Sequence, residues 1–173
     1  MSTYGNKVFG LRDVKVTNIG GTTQKDLPVA QKLKITPKMK SGELEGDDSL
    51  VSVVSFVVSA EWELEAGGID LDALAIITGK AVTVAGTTPN ATSTWKLSAG
   101  DNMPYFKIYG KSMGDGTDDI HAKLCKVKCT ELEGEFSEGE FFVTSCKGIA
   151  VDDGTNGVMT VVQNETAANL PAT

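Results

Sequence analysis

Apolar and polar residues alternate with a period of two along two long neighbouring stretches. From Leu50 to Ala66 the even positions Val54, Phe56, Val58, Ala60, Trp62 and Leu64 are apolar, while the odd ones change from Val51 and Val53 to Glu61, Glu63 and Glu65. Successive side chains of a strand point to opposite faces, so this stretch reads as one strand. The segment before it behaves alike, with Leu33, Ile35, Pro37 and Met39 set against Lys32, Lys34, Thr36, Lys38 and Lys40. A turn over Glu45 to Asp48 makes the two a hairpin of about residues 30–66. That turn places Leu33 opposite Ala60, Ile35 opposite Val58, Met39 opposite Val54 and Lys32 opposite Glu61, and lets the apolar faces coincide.

The tip of this hairpin is Lys40, Ser41, Gly42, Glu43, Leu44, Glu45, Gly46, Asp47 and Asp48, rich in glycine and acids with little that can pack. It predicts a flexible loop: either the plain solvated end of a long arm, or a contact segment that orders on a neighbouring subunit. After Gly67-Gly68 a short helix is expected over about residues 70–78. Asp70 serves as its N-cap, Leu71, Leu74 and Ile77 as its packing residues, and Gly79 as its left-handed stop. So short a helix is stable only against a sheet.

Elsewhere the alternation predicts strands over Lys7–Thr17, Ala81–Ala85, Ser93–Leu97, Tyr105–Lys111, Ile120–Phe136, Phe141–Val151 and Val158–Gln163, with Asn18–Asp26 a Gly/Thr loop. The expected fold is mainly β: a sandwich or barrel-like single domain of about eight or nine strands with one short helix and a long hairpin arm. The domain is expected over residues 1–164, with 165–173 a flexible C-terminal tail. A chain of 173 residues holds one proper core.

Composition narrows the chemistry. Cys125, Cys129 and Cys146 have neither zinc spacing nor an even disulfide framework, and Cys125 and Cys129 share a strand face with Val127, so they read as buried free thiols. The single His121 reads as structural. An EF-hand register from Asp115 puts Lys126 where the bidentate glutamate belongs, so Gly114–Asp119 reads as a turn. No nucleophile elbow, phosphate loop, dinucleotide fingerprint or metal set occurs, and the expectation is a protein with no catalytic site, no metal and no cofactor. The opening residues hold no apolar run, which predicts a soluble chain made in a cytoplasm without a membrane anchor. Arg12 is the only arginine, against base or phosphate recognition. The acidic excess sits in the last quarter, where Glu131, Glu133, Glu135, Glu138, Glu140, Asp152, Asp153 and Glu165 face Lys147 alone.

The polar-tipped hairpin ending in Trp62 and acidic alternation, the segment Gly67-Gly68-Ile69-Asp70-Leu71-Asp72-Ala73-Leu74-Ala75, and the β-rich second half together resemble the major tail tube proteins of long-tailed (siphovirus-type) bacteriophages. The similarity of order and patterning runs from about Leu27 to Glu165. It implies a virion structural protein, made in the host bacterial cytoplasm, that self-assembles into hexameric rings. In such rings the sheets of successive subunits join, giving long strands with little edge protection an outlet. Stacked rings form a passive conduit for genomic double-stranded DNA during ejection, with tape-measure, tail-tip and terminator proteins as further partners. On this resemblance the tip 40–48 is the ring-stacking loop, and Glu61, Glu63 and Glu65 or the competing row Glu131, Glu133 and Glu135 are candidate lumen charges. Two alternatives share the β composition: an immunoglobulin-like adhesion or decoration module, and the tube protein of a contractile injection system.

Overall fold

The computed structural model describes residues 8–27, 29–46, 49–68, 70–114, 118–138 and 142–170. In chain order the elements are β1 (Phe9–Asn18), β2 (Gln24–Asp26), β3 (Ala30–Gly46), β4 (Ser49–Gly67), α1 (Leu71–Thr78), β5 (Thr83–Ala85), β6 (Thr92–Thr94), β7 (Tyr105–Met113), β8 (Asp119–Glu135), β9 (Val143–Ala150) and β10 (Thr160–Asn164). β5 and β6 form a small separate hairpin. The other strands form one antiparallel sheet in the order β2-β1-β7-β8-β9-β4-β3, with β10 also on β8. β8 is long enough to pair with β10 through Asp119–Lys123 and with β9 through Val127–Glu135. The mainly β fold with one helix is as the alternation predicts. The strand the pattern misses is β2, three residues whose pairing with Lys15–Thr17 leaves no periodic signature inside the Gly/Thr loop.

The sheet curls so that its two ends approach. Leu33 of β3 rests over Gly110 of β7, where a Cβ would come 2.5 Å from Leu33 Cδ2. Inside the curl Val14, Val16, Ala60, Trp62, Leu64, Phe106, Ile108, Leu124 and Val127 form the core, and α1 closes it with Ala73, Ile76 and Ile77. Trp62 stands edge-on to Phe106 at 5.6 Å between ring centroids, a favoured aromatic geometry. The α1 caps are those expected: Asp70 accepts from the Asp72 and Ala73 amides, and Gly79 ends the helix at φ 71°. Leu74 and Ile77 are buried, whereas Leu71 is only half-buried and Ala73 and Ile76 take core positions.

The hairpin register differs from the expected one. Leu33 pairs with Leu64, Ile35 with Trp62, Pro37 with Ala60 and Lys32 with Glu65. Two causes add together: the closing pair is Gly46–Ser49, and β-bulges between Leu44/Glu45 and Lys38/Met39 each let β4 advance. The accumulated slip is even at the base, so Lys32 and Lys34 meet Glu65 and Glu63 and the core face is kept. Beyond the second bulge the faces exchange. Met39 pairs with Val57 and Lys40 with Phe56, so the single apolar stripe expected from Val54 to Leu64 is divided between two sides of the ribbon.

Gly148 of β9 marks the tightest packing. An added Cβ there would lie 2.0 Å from the Lys128 carbonyl oxygen and 2.7 Å from Trp62 Cζ2. Gly148→Ala should therefore cost about 1–3 kcal/mol, as overpacked cores do. The check is urea unfolding, with a lowered midpoint at unchanged slope.

Candidate assembly surface

Only Ala60–Gly67 of β4 pair with β9, so the hairpin beyond them is a two-stranded ribbon without a third strand. Its apolar side chains lie open: Met39, Leu44, Val53, Val54, Phe56, Val57 and Val58 are all at least half exposed. Isolated two-stranded ribbons are marginal in water, and contiguous exposed apolar surface marks an interaction site.

The tip departs from the loop expected of it. Lys40, Ser41, Gly42, Glu43 and Leu44 are exposed strand residues, and Glu45 and Gly46 continue the ladder opposite Leu50 and Ser49. The alternation is hidden because glycine and small polar residues contribute nothing to a period-two pattern. Asp47 and Asp48 lie outside the described residues.

β3 ends the sheet, so one edge of its 17 residues is unpaired. The sequence suggests little edge protection, but this edge carries Pro37 and a row of lysines, both of which oppose strand addition. Pro37 is tolerated because an edge strand has one unused backbone side. The exposed liability is therefore the apolar ribbon and not the edge.

The two glutamate rows, which the sequence presents as rivals, occupy one face of the sheet, opposite the core. Lys34, Glu63, Lys147 and Glu131 form one cross-strand row; Lys32, Glu65, Ser145 and Glu133 form the next. Lys32 lies 3.1 Å from Glu63 and 2.8 Å from Glu65, Lys38 lies 2.9 Å from Glu61, and Lys147 reaches both Glu131 and Glu133. Donation by Lys32 holds the Glu63 carboxyl below its ordinary value, and contact with Glu131, then Lys147, does the same for Glu133. Glu135 stands exposed at the end of β8 opposite Val143. The first row thus alternates fully in sign, whereas in the second Ser145 interrupts the alternation between two glutamates.

At the base of the hairpin, opposite its tip, a cavity of about 210 Å³ lies between α1 and the ends of β4 and β9. Its walls include Leu27, Val29, Leu64, Ala66, Leu74 and Cys146. The molecule is therefore polar in the geometric sense, with an apolar ribbon at one end and an apolar recess at the other.

The C-terminal segment is fastened down, contrary to the free tail expected from residue 165. Asp119, fully buried at the start of β8, accepts from Asn164 Nδ2 at 2.6 Å and from the Ala168 amide at 2.7 Å. Lys111 is 3.0 Å away and His121 Nε2 3.2 Å, and Leu170 is 4% exposed. Burial alone would raise the Asp119 pKa; the Asn164, Lys111, Ala168 and His121 hydrogen bonds outweigh it and hold the carboxyl far below its ordinary value. Residues 171–173 lie outside the described residues. His121 is structural as expected, with a partner two residues away on the same strand face.

Among the described residues no three His, Cys, Asp or Glu side chains converge as a metal site. The Asp115 end of the loop weighed for calcium lies outside them. Among the described residues no helix is long and apolar enough to cross a membrane.

No family model matches this chain, and no curated protein matches it. Among solved structures, a chain of the anti-feeding prophage baseplate, determined by cryo-EM with six-fold symmetrisation, is similar over 94% of this chain and 97% of that one. The TM-score is 0.46 and the identity 10%. At that score the likeness says nothing about what this chain does.

Proposed function

We propose that this chain is a non-catalytic structural subunit of a tubular assembly of the phage-tail type, built from closed rings of itself stacked end to end. The observation that carries the reading is the projecting ribbon, which exposes apolar side chains on both faces at one end of the molecule. Burying them is favourable by roughly 25 cal/mol per Å², and a second copy, with its recess at the opposite end, is the partner whose geometry repeats. Such a contact is heterologous: around a ring it closes, and along an axis it stays open. The ring number, six, and the passage of double-stranded DNA come from the sequence resemblance to siphovirus tail tube proteins. So do the tape-measure, tail-tip and terminator partners, and residence in the virion tail. A tube of a contractile injection system uses the same subunit geometry with a sheath outside it. A monomeric immunoglobulin-like binding module has no use for the ribbon.

Negative-stain electron microscopy of the purified protein, from dilute to concentrated, tests the proposal: hollow tubes with a regular axial repeat are expected. Deleting residues 42–47 shortens the ribbon and should leave a folded protein that no longer forms tubes. Tubes from that variant would show that the ribbon is not the stacking element.

A further inference from the structure

Two of the three thiols meet inside the sheet. Cys129 pairs across the β8–β9 ladder with Gly148, which has no side chain, and a bulge between Cys129 and Glu131 displaces β8 at that point. The Cys129 sulfur instead meets Cys146, the previous residue on the same face of β9, at 2.9 Å. Both are buried, at 4% and 2% exposure. Cys146 is not sealed off, because it forms part of the wall of the cavity beneath α1, which opens to solvent at the base of the hairpin, and the Cys129 sulfur lies directly behind it.

We propose that Cys129 and Cys146 are a modification site: a dithiol that a small peroxide entering through this cavity converts to a disulfide in the folded protein, stapling β8 to β9. The pair is chemically suited to it. Donation from Cys146 holds the Cys129 thiol below its ordinary pKa, and the same contact together with burial raises Cys146, so the thiolate forms at Cys129 as that thiol gives up its hydrogen bond to the Glu131 carbonyl. The Cys129 thiolate attacks one oxygen of hydrogen peroxide. The O–O bond breaks, the departing hydroxide takes a proton to become water, and Cys129 becomes a sulfenic acid. The Cys146 sulfur then attacks the Cys129 sulfur; the S–O bond breaks, and the second oxygen leaves as water with the Cys146 proton. Two thiols are oxidised to one disulfide, and one peroxide is reduced to two waters.

The bridge closes a loop between positions 17 apart.

The test uses the native full-length protein at neutral pH, treated with one to a few equivalents of hydrogen peroxide and then alkylated after unfolding. The expected product has lost two hydrogens, links the Cys129 and Cys146 peptides, and carries the alkyl label on Cys125 alone. Its melting midpoint should rise by about 5–10 °C and return on treatment with dithiothreitol. Cys129→Ser should give no bridge under the same conditions. Four results would overturn the proposal: sulfinic or sulfonic acid without a cross-link, a bridge through Cys125, a bridge in the Cys129→Ser variant, or oxidation only after unfolding. The wild-type measurement decides even if that variant fails to fold, and it is independent of whether the protein assembles.

Discussion

Asp119→Ala should destabilise the protein by about 3–5 kcal/mol at neutral pH, the usual cost of removing one partner from a buried charged network. Its carboxylate is inaccessible to solvent and serves as the common acceptor for Asn164, the Ala168 amide, Lys111 and His121. Removing it leaves those donors facing a void and the lysine without its counter-charge. The same residue sets a pH dependence of defined sign. Its folded-state pKa is depressed relative to an unfolded value of about 3.9. The stability it contributes is therefore fully present above that value and is lost as pH falls below it, toward the folded-state pKa. Urea titrations at descending pH should show the wild type losing stability steeply below about pH 4 and the variant losing less over the same range. Limited proteolysis supplies a local readout: cleavage after residue 164 should accelerate in the variant before the core opens. Equal acid sensitivity of the two proteins would show that Asp119 does not hold the segment.

Replacing Val54 and Phe56 together by aspartate should abolish assembly while changing folding stability by only about 0.5 kcal/mol per site, as for other surface positions. Both are more than half exposed on the unsupported part of the ribbon and take no part in the core. In an assembled subunit they become buried, where two unpaired carboxylates are strongly unfavourable. Sedimentation and electron microscopy at concentrations that give wild-type tubes should find only small species, with circular dichroism and melting unchanged. Tubes of wild-type appearance from this variant would remove the ribbon from the interface and with it the main support for the assembly reading.

Local rules carried the strands, the helix and its caps into view. Asp70 and Gly79 are legible because capping depends on neighbours a few residues away. Register is not local in this sense. An even slip keeps every side chain on its own face, so Lys32 opposite Glu61 and Lys32 opposite Glu65 look equally good in sequence; the Gly46–Ser49 closing pair and two bulges decide between them. The Asp119 cluster gathers residues 111, 119, 121, 164 and 168 from three strands and the C-terminal segment, and no local pattern points to it. Leu170 was invisible for a related reason, since one apolar residue in a polar tail has no period. The thiols were not legible: period two puts Cys125 and Cys129 on one face, but a register shift opposite Phe106 and Ile108 gives the core face to Leu124 and Val127 and takes Cys125 off it, while the sheet order alone brings Cys146 beside Cys129.

The ladder of lysines and glutamates across β3, β4, β9 and β8 has an electrostatic consequence at a distance. Neighbouring strands are about 4.8 Å apart, so along the row Lys34, Glu63, Lys147 and Glu131 the sign of the charge reverses over that same interval. The field of such a grating dies away over roughly the strand spacing, well inside the ~8 Å over which physiological salt screens an isolated charge. A polyanion a few ångströms off this face would feel neither the lysines as anchors nor the glutamates as a wall, only their small difference. Sliding past it would meet no lysine anchor, and the small acidic remainder would fade further as the surrounding salt rose.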